Sequence, residues 1–414
     1  MRALFVVPFL IGCVDLPKYS EVTDLRVLAV RSEPAELLDG QSPAELRVEA
    51  LVVDPTRGEE PVQLQWQLCP LTQESACAGF DDTLSAGARP LELLDGLTQA
   101  VNAAGACPLS DATRAGVGEL QALLGELKDP RYLARYRGVT GGGDFEVDLA
   151  GGAPDRPFRA YDTRYLRQLA KELEACGRPA FDGLGMLPER VTDLHLLHLL
   201  RSPLDSALGV LPSVVLTARR GEQQVVAQKY VPLGWRDLRT PWKLIELFTP
   251  GVDFGVELCG EVATPGCLPV APRAPNENPT FADVRWAAGE TPRAGDDEGW
   301  VSLCEGCELE LKRGEALRVL PVFTADSFEP YQGIVLDPKT SRVSSFGLVE
   351  DISVAWFMTA GELGDELTWP KTTRSLDTWY RAPADAAVER VTLWLVARDH
   401  RGGITWKTLN VRLW

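Results

Sequence analysis

Histidine occurs at three positions, His195, His198 and His400. In Asp193-Leu194-His195-Leu196-Leu197-His198 the first two stand i, i+3, a spacing that turns two imidazoles to one helix face, where a metal could bind with Asp193 or a distant carboxylate. Two ligands are not a site, and helix-surface histidines are the simpler reading. His400 lies in the turn Asp399-His400-Arg401-Gly402-Gly403, whose glycines answer a need for positive φ rather than for catalysis. Asp81-Asp82, Asp296-Asp297-Glu298 and Asp326 with Glu329 offer hard oxygens to calcium, but without EF-hand spacing they read as solvated loop charge. Cys304-Glu305-Gly306-Cys307 has redox spacing. Its acidic flanks and the strand-like Leu309-Glu310-Leu311 argue against a stabilised thiolate. A zinc site joining that pair to Cys259 and Cys267 lacks a second Cys-x2-Cys knuckle. No Gly-x-Ser-x-Gly elbow is present.

Most of the segments that would carry these groups read as strands. Leu25 to Ala29, Glu45 to Asp54 and Val62 to Leu68 alternate at period two, which puts Val62, Leu64, Trp66 and Leu68 on one face. Trp66 in mid-strand suits the core tryptophan of an immunoglobulin-type sandwich. Between Cys107 and Leu211 the period changes and three helices are expected. Asp111 can cap the one carrying Val117, Leu120, Leu124 and Leu127; Asp162 or Thr163 can cap the one carrying Leu166, Leu169 and Leu173; the third runs from about Pro188 to Leu200. Strand signals return at Ser213 to Ala218 and Gln224 to Pro232.

Residues 234–275 are rich in proline and read as a linker, after which the first pattern recurs. Ala44-Glu45-Leu46-Arg47-Val48 is echoed by Ala316-Leu317-Arg318-Val319, and Leu64-Gln65-Trp66 by Val354-Ala355-Trp356. The hairpin at Val215 to Gly221 is echoed by Leu395 to Gly402. The expected fold is therefore mainly β: two immunoglobulin-like β-sandwich domains, at 25–233 and 276–414, the first with an α-helical insertion at about 108–211.

The hydrophobic fraction of 45% suffices for sizeable cores, and a formal net charge of −17 argues against nucleic acid, whose phosphates it would repel. No segment after residue 13 approaches the ~18 apolar residues of a spanning helix. In the last strand Leu409, Val411 and Leu413 share one parity, so Trp406 and Trp414 take the other. With Trp394 on the partnering strand they form either an aromatic platform for glycan or protein, or a surface that packs against the neighbouring domain or the linker.

The N-terminus, Met1-Arg2-Ala3-Leu4-Phe5-Val6-Val7-Pro8-Phe9-Leu10-Ile11-Gly12-Cys13, resembles the signal peptide of bacterial lipoproteins, with Leu10-Ile11-Gly12-Cys13 matching the lipobox. The resemblance implies that residues 1–12 are removed, that Cys13 is acylated, and that 13–24 form a tether to a bilayer. Val14 after the cysteine favours the outer membrane of the cell envelope. Nine cysteines less the acylated Cys13 leave an even eight for an oxidising compartment. Their spacing suggests Cys69 with Cys77, Cys259 with Cys267 and Cys304 with Cys307, which leaves Cys107 for Cys176; other connectivities stay open.

Leu25-Arg26-Val27-Leu28-Ala29-Val30 leading to Glu33-Pro34, Trp66-Gln67-Leu68-Cys69, and Arg398-Asp399-His400-Arg401-Gly402-Gly403 together resemble envelope lipoproteins of myxobacteria with immunoglobulin-like repeats. That resemblance implies no catalytic residues and no cofactor. The expectation is a membrane-anchored, non-enzymatic binding, adhesion or scaffolding module, with an envelope protein or glycan as partner. The alternative is an envelope hydrolase or glycan-binding protein with its site at the helical insertion or the C-terminal tryptophan face.

Overall fold

In the computed structural model the described residues are 18–38, 46–56, 60–69, 92–127, 140–143, 145–147, 160–178, 190–192, 211–236, 257–258, 267–268, 274–290, 299–304, 306–337, 342–373 and 375–414. The period-two segments fold as strands. β1 (Arg26–Glu33) and β2 (Leu46–Val53) pair antiparallel, and Phe145–Val147 adds to the far side of β2. Facing them, β3 (Gln63–Cys69) lies between Thr140–Gly141 and β4 (Ser213–Arg220), with β5 (Gln223–Tyr230) outside β4. Val30, Leu46, Val48, Trp66, Leu68, Val214 and Leu216 meet between the sheets, and Leu37 and Leu233 close one end.

The second sandwich is built from β6 (Phe281–Ala288), β7 (Glu308–Leu311), β8 (Ala316–Phe323), β9 (Ser353–Met358), β10 (Thr378–Arg381), β11 (Arg390–Arg398) and β12 (Ile404–Leu413). One sheet runs Val301–Ser302, β6, β8, β10, Glu362–Leu363; the other runs β7, β12, β11, β9, Leu367–Thr368. The sequence repeat is thus a repeat of topology. β1 with β2 corresponds to β6 with β8, β3 to β9, and the hairpin of β4 and β5 to that of β11 and β12. Trp66 is opposite Leu216 in its sheet, as Trp356 is opposite Leu395.

Both tryptophans are buried, and each keeps a partner for its indole N–H, as burial demands. Trp66 donates to the Gly143 carbonyl at 2.6 Å and Trp356 to the Thr368 hydroxyl at 2.9 Å. Trp66 is therefore a core anchor.

The helices pack as a module of their own. α1 (Glu92–Ala104), α2 (Asp111–Leu127) and α3 (Arg164–Ala175) bury Leu97, Leu120, Leu124, Leu166, Leu169 and Leu173 against Trp235. Gly116 lies against the Tyr165 ring, which leaves no room for a Cβ. This module departs from expectation in four ways. It includes α1 from Glu92, ahead of the expected start at about 108, because Leu97, Ala100 and Ala104 recur at helical spacing and join the module's core. Thr140–Gly141 and Phe145–Val147, inside the expected insertion, return to the sandwich as edge strands. Arg190–Thr192, inside the expected third helix, is a strand paired with Ala160–Asp162, and 193–200 lie outside the described residues. Ser110 rather than Asp111 precedes the first turn of α2, with its Oγ 3.4 Å from the Thr113 N–H.

Two disulfides join described cysteines, Cys107 with Cys176 and Cys304 with Cys307, both among the pairs that spacing suggests. Cys69 is disulfide-bonded as well. Cys13, Cys77 and Cys259, and the side chain of Cys267, lie outside what is described. Cys107–Cys176 clamps the segment before α2 to the end of α3 across a separation of 69 residues, whereas Cys304–Cys307 spans 3. On the chain-entropy account the long loop contributes about 4 kcal/mol and the short one about 2. Replacing Cys107 and Cys176 with Ala should therefore lower the stability of the helical module by about 4 kcal/mol in urea unfolding, and replacing Cys304 and Cys307 by no more than half of that.

Candidate functional site at the joint between the sandwiches

The hairpin turn that joins β11 to β12 is where the two sandwiches meet. Asp399 is buried and its Oδ1 accepts the backbone N–H of Arg401 at 2.7 Å, Gly402 at 3.0 Å and Gly403 at 2.9 Å. This closes the turn on one carboxylate and puts His400 at a φ of 64°, the left-handed region. Asp399 Oδ2 accepts from Asn276 Nδ2 at 2.9 Å, and the Asn276 backbone N–H donates to Glu36 Oε2 of the first sandwich at 2.9 Å. Asn278 completes the stitch. Its Nδ2 donates to the Ser32 carbonyl at 2.8 Å and to Glu33 at 2.9 Å, while its Oδ1 accepts the Ile404 N–H at 2.9 Å.

Arg401 carries the charge of this joint. Its guanidinium lies 2.6 Å from Glu350, 3.6 Å from Glu329 and 3.7 Å from Glu36, and stacks 4.7 Å over the Tyr331 ring. From the first sandwich, the buried Lys229 donates to the Gly402 carbonyl. The glycines are required by space. A Cβ on Gly402 would meet Pro232 Cγ at 3.1 Å, and one on Gly403 would sit 2.7 Å from the Glu277 carbonyl.

Burial and the neighbouring Asp399 push the Glu350 carboxyl up to about 7, against the pull of Arg401. Burial likewise raises Glu329. Burial brings the Lys229 ammonium down to about 8, although Asp399 opposes the shift. Buried groups with such displaced protonation mark candidate sites. Their chemistry here is cohesion and proton uptake. Among the described residues no group of three or more His, Cys, Asp or Glu is placed to hold a metal ion. The centre of the carboxylates is filled by Arg401.

The structure relocates several residues singled out in the sequence. Trp394 and Trp406 do not form an open platform. They belong to an apolar layer in which Ala355, Phe357, Trp394, Val396 and Ile404 of the second sandwich pack on Val22, Leu28, Ala29, Leu51 and Val53 of the first. The Arg31 guanidinium lies 4.8 Å over the Trp406 ring. Trp414 is 65% exposed, but it follows Trp406 by eight strand positions, about 26 Å, too far to share a platform. Parity told the two faces apart; it could not tell what covers them. Glu329 turns to Arg401 rather than to Asp326. His400 stacks on Trp369 at 5.1 Å. His195, His198, Asp81-Asp82 and Asp296-Asp297-Glu298 lie outside the described residues.

Asn276, Asn278, Glu36, Lys229 and Glu350 belong to no motif or periodic pattern in the sequence. The clue was the Asn-Glu-Asn-Pro run ahead of β6, a string of turn and capping residues where a linker would end.

No protein-family model and no curated protein matches the chain. Among solved structures, the cadherin-like domains 1 to 4 of zebrafish RET align at 8% identity and a TM-score of 0.11, over 51% of this chain and 34% of that chain. The β-sandwich assignment rests on the strand order and cores described above.

Two outcomes follow from the joint. The folded chain keeps a proton on Glu350 that the unfolded chain releases, so stability falls as pH rises from 4.5 to about 7 and is level above that. Glu350→Gln should flatten this slope in urea titrations across pH 5 to 7.5, because the amide cannot ionise and its oxygen still accepts from Arg401. Gly403→Ala should cost about 1–3 kcal/mol through overpacking against the Glu277 carbonyl, and should raise the exchange rate of the Arg401 and Gly402 amides.

Proposed function

We propose that the protein is a lipid-anchored, non-enzymatic scaffold of a bacterial cell envelope, held by Cys13 and presenting the two sandwiches as one rigid body. One observation carries the scaffolding part. The sandwiches are fused by an apolar layer and by a buried polar joint, so whatever binds one of them is held at a fixed distance and angle from the other. Domains in one chain ordinarily move relative to each other unless their interface is large and hydrophobic. Here β1 and β2 of the first sandwich cover the outer face of β9, β11 and β12.

The anchoring part rests on Leu10-Ile11-Gly12-Cys13, and the described disulfides agree with an oxidising compartment. Several acyl chains at roughly 0.8 kcal/mol per methylene give durable attachment, which a net charge of −17 would not supply by itself. The partner held by the scaffold is an envelope protein or glycan.

Expression of the full chain in a Gram-negative host should give a membrane-bound protein whose intact mass lacks residues 1–12 and carries acyl groups on Cys13. Cys13→Ser should move it to the soluble fraction with an unchanged melting temperature. A wild-type protein that keeps Met1 and a free Cys13 thiol would overturn the reading.

A further inference from the structure

Before it enters β1, the chain is sewn to the other sandwich. The Met358 N–H at the end of β9 donates to the Ser20 carbonyl at 2.9 Å, and the Val22 N–H donates to the Met358 carbonyl at 2.8 Å, so that Glu21 bridges Met358 in parallel. Ser20 is buried and its hydroxyl donates to Glu366 at 2.7 Å; Val22 is buried in the apolar layer between the sandwiches. Arg26 reaches back to the Tyr19 carbonyl at 2.8 Å. Residues 19–22 are therefore a strap fixed to the edge of β9.

The strap gathers exposed apolar side chains on that edge. Tyr19 is 74% exposed, with its ring 5.7 Å from Phe357. Leu367, next to the Glu366 that binds Ser20, is 53% exposed and pairs with Ala355 of β9. Lys18 precedes Tyr19 in the chain, and Asp365 and Glu366 precede Leu367. An amphipathic ring and an exposed aliphatic side chain on one strand edge, each next in the chain to charged residues, suit the headgroup layer of a bilayer and exclude deeper insertion.

The length of chain ahead of the strap decides the matter. Val14 to Pro17, four residues, separate Cys13 from Lys18. Five residue steps at full extension reach no more than about 18 Å. β12 alone, with 10 residues, is about 33 Å long, so a body of this size on so short a leash cannot turn freely. The geometry points to the edge that carries Tyr19 and Leu367 as a bilayer-facing surface, seated at headgroup level of the same membrane that holds the acyl chains of Cys13. This rests on the anchoring proposed above. The contact is small and takes its strength from the tether, which keeps the edge at high local concentration over the lipid. Its effect is orientation: the edge of the second sandwich that carries Leu367 stands nearest the membrane, and β7, at the opposite edge of the same sheet, is carried away from it.

The test uses the full-length lipidated protein in vesicles of phosphatidylethanolamine and phosphatidylglycerol, with a nitroxide on Leu367→Cys or, as the distal control, on Glu310→Cys in β7, the exposed opposite edge of the same sheet. On vesicles the label at 367 should show a several-fold drop in collisions with a water-soluble relaxation agent and a rise with oxygen, while the label at 310 stays water-like. A flexible insert of twelve Gly and Ser residues between Pro17 and Lys18 adds roughly 19 Å of r.m.s. reach and should return the label at 367 to water-like behaviour. Equal, water-like labels on a protein whose mass shows acylated Cys13 would overturn the orientation and leave the anchor standing. An unmodified Cys13 would overturn both. Melting of each labelled variant in detergent, unchanged from wild type, certifies that the edge strand is intact.

Discussion

A carboxylate buried in a turn has to be satisfied from every side, and Asp399 is. Three backbone N–H groups of its own turn and the Asn276 amide saturate it. An ionised acid buried without such donors would cost several kcal/mol. Because one donor comes from the segment that ends the linker, satisfying Asp399 also fixes where the second sandwich begins. Because that same residue donates its N–H to Glu36, it fixes where the first sandwich lies. Arg401 follows from this arrangement. Held by the turn, its guanidinium meets carboxylates from both sandwiches, and removing it would leave the buried Glu36 and Glu350 short of their shared cation.

Polar joints of this kind set geometry more than affinity, and the apolar layer beside it supplies cohesion. Phe357, Trp394 and Val396 on one side, and Leu28, Ala29 and Val53 on the other, are removed from water where a lone sandwich would expose them. Burial at roughly 25 cal/mol per Å² favours closure without choosing an angle. The angle is chosen by hydrogen bonds that admit one register, from Asn278 to Ser32, Glu33 and Ile404 together. The Lys229 ammonium, brought down to about 8 by burial, adds stability as pH rises from there toward 10.5, opposite in direction to Glu350. Between about 7 and 8 both groups titrate in the folded chain, Glu350 losing its proton and Lys229 beginning to lose its own, and their effects on stability oppose each other there.

What could be read from the sequence is what local periodicity and short spacing encode. The alternation around Trp66 and Trp356 marked both cores, and the echo between β3 and β9 revealed a repeat that the strand order shares. Leu166, Leu169 and Leu173 announced α3 because three apolar residues fall on one helix face. The joint could not be found this way, since its hydrogen bonds connect residues 123 and 240 positions apart. Yet two of the motifs that carried the myxobacterial resemblance, Glu33-Pro34 and Asp399 to Gly403, converge at this joint. The tryptophan face misled for a related reason. Side-chain parity is a property of one strand, whereas exposure of Trp394 and Trp406 depends on β1 and β2, more than 300 residues earlier.

The strap gives the connection between sandwiches a second, independent path. A tandem joined by a single linker can open by hinging at that linker. Here the chain is fixed to β9 at Ser20 to Val22 and enters the first sandwich at Arg26, so the two bodies are also tied through four peptide steps at the other end of the shared layer. Opening the joint would require the strap to tear from Met358 or β1 to fray, and each loses backbone hydrogen bonds that the closed state already holds. A pull applied at Cys13 reaches the edge of β9 before it reaches either core. Such a load is divided between the sandwiches at their seam, and the polar joint, at the far end of β11 and β12, is spared it.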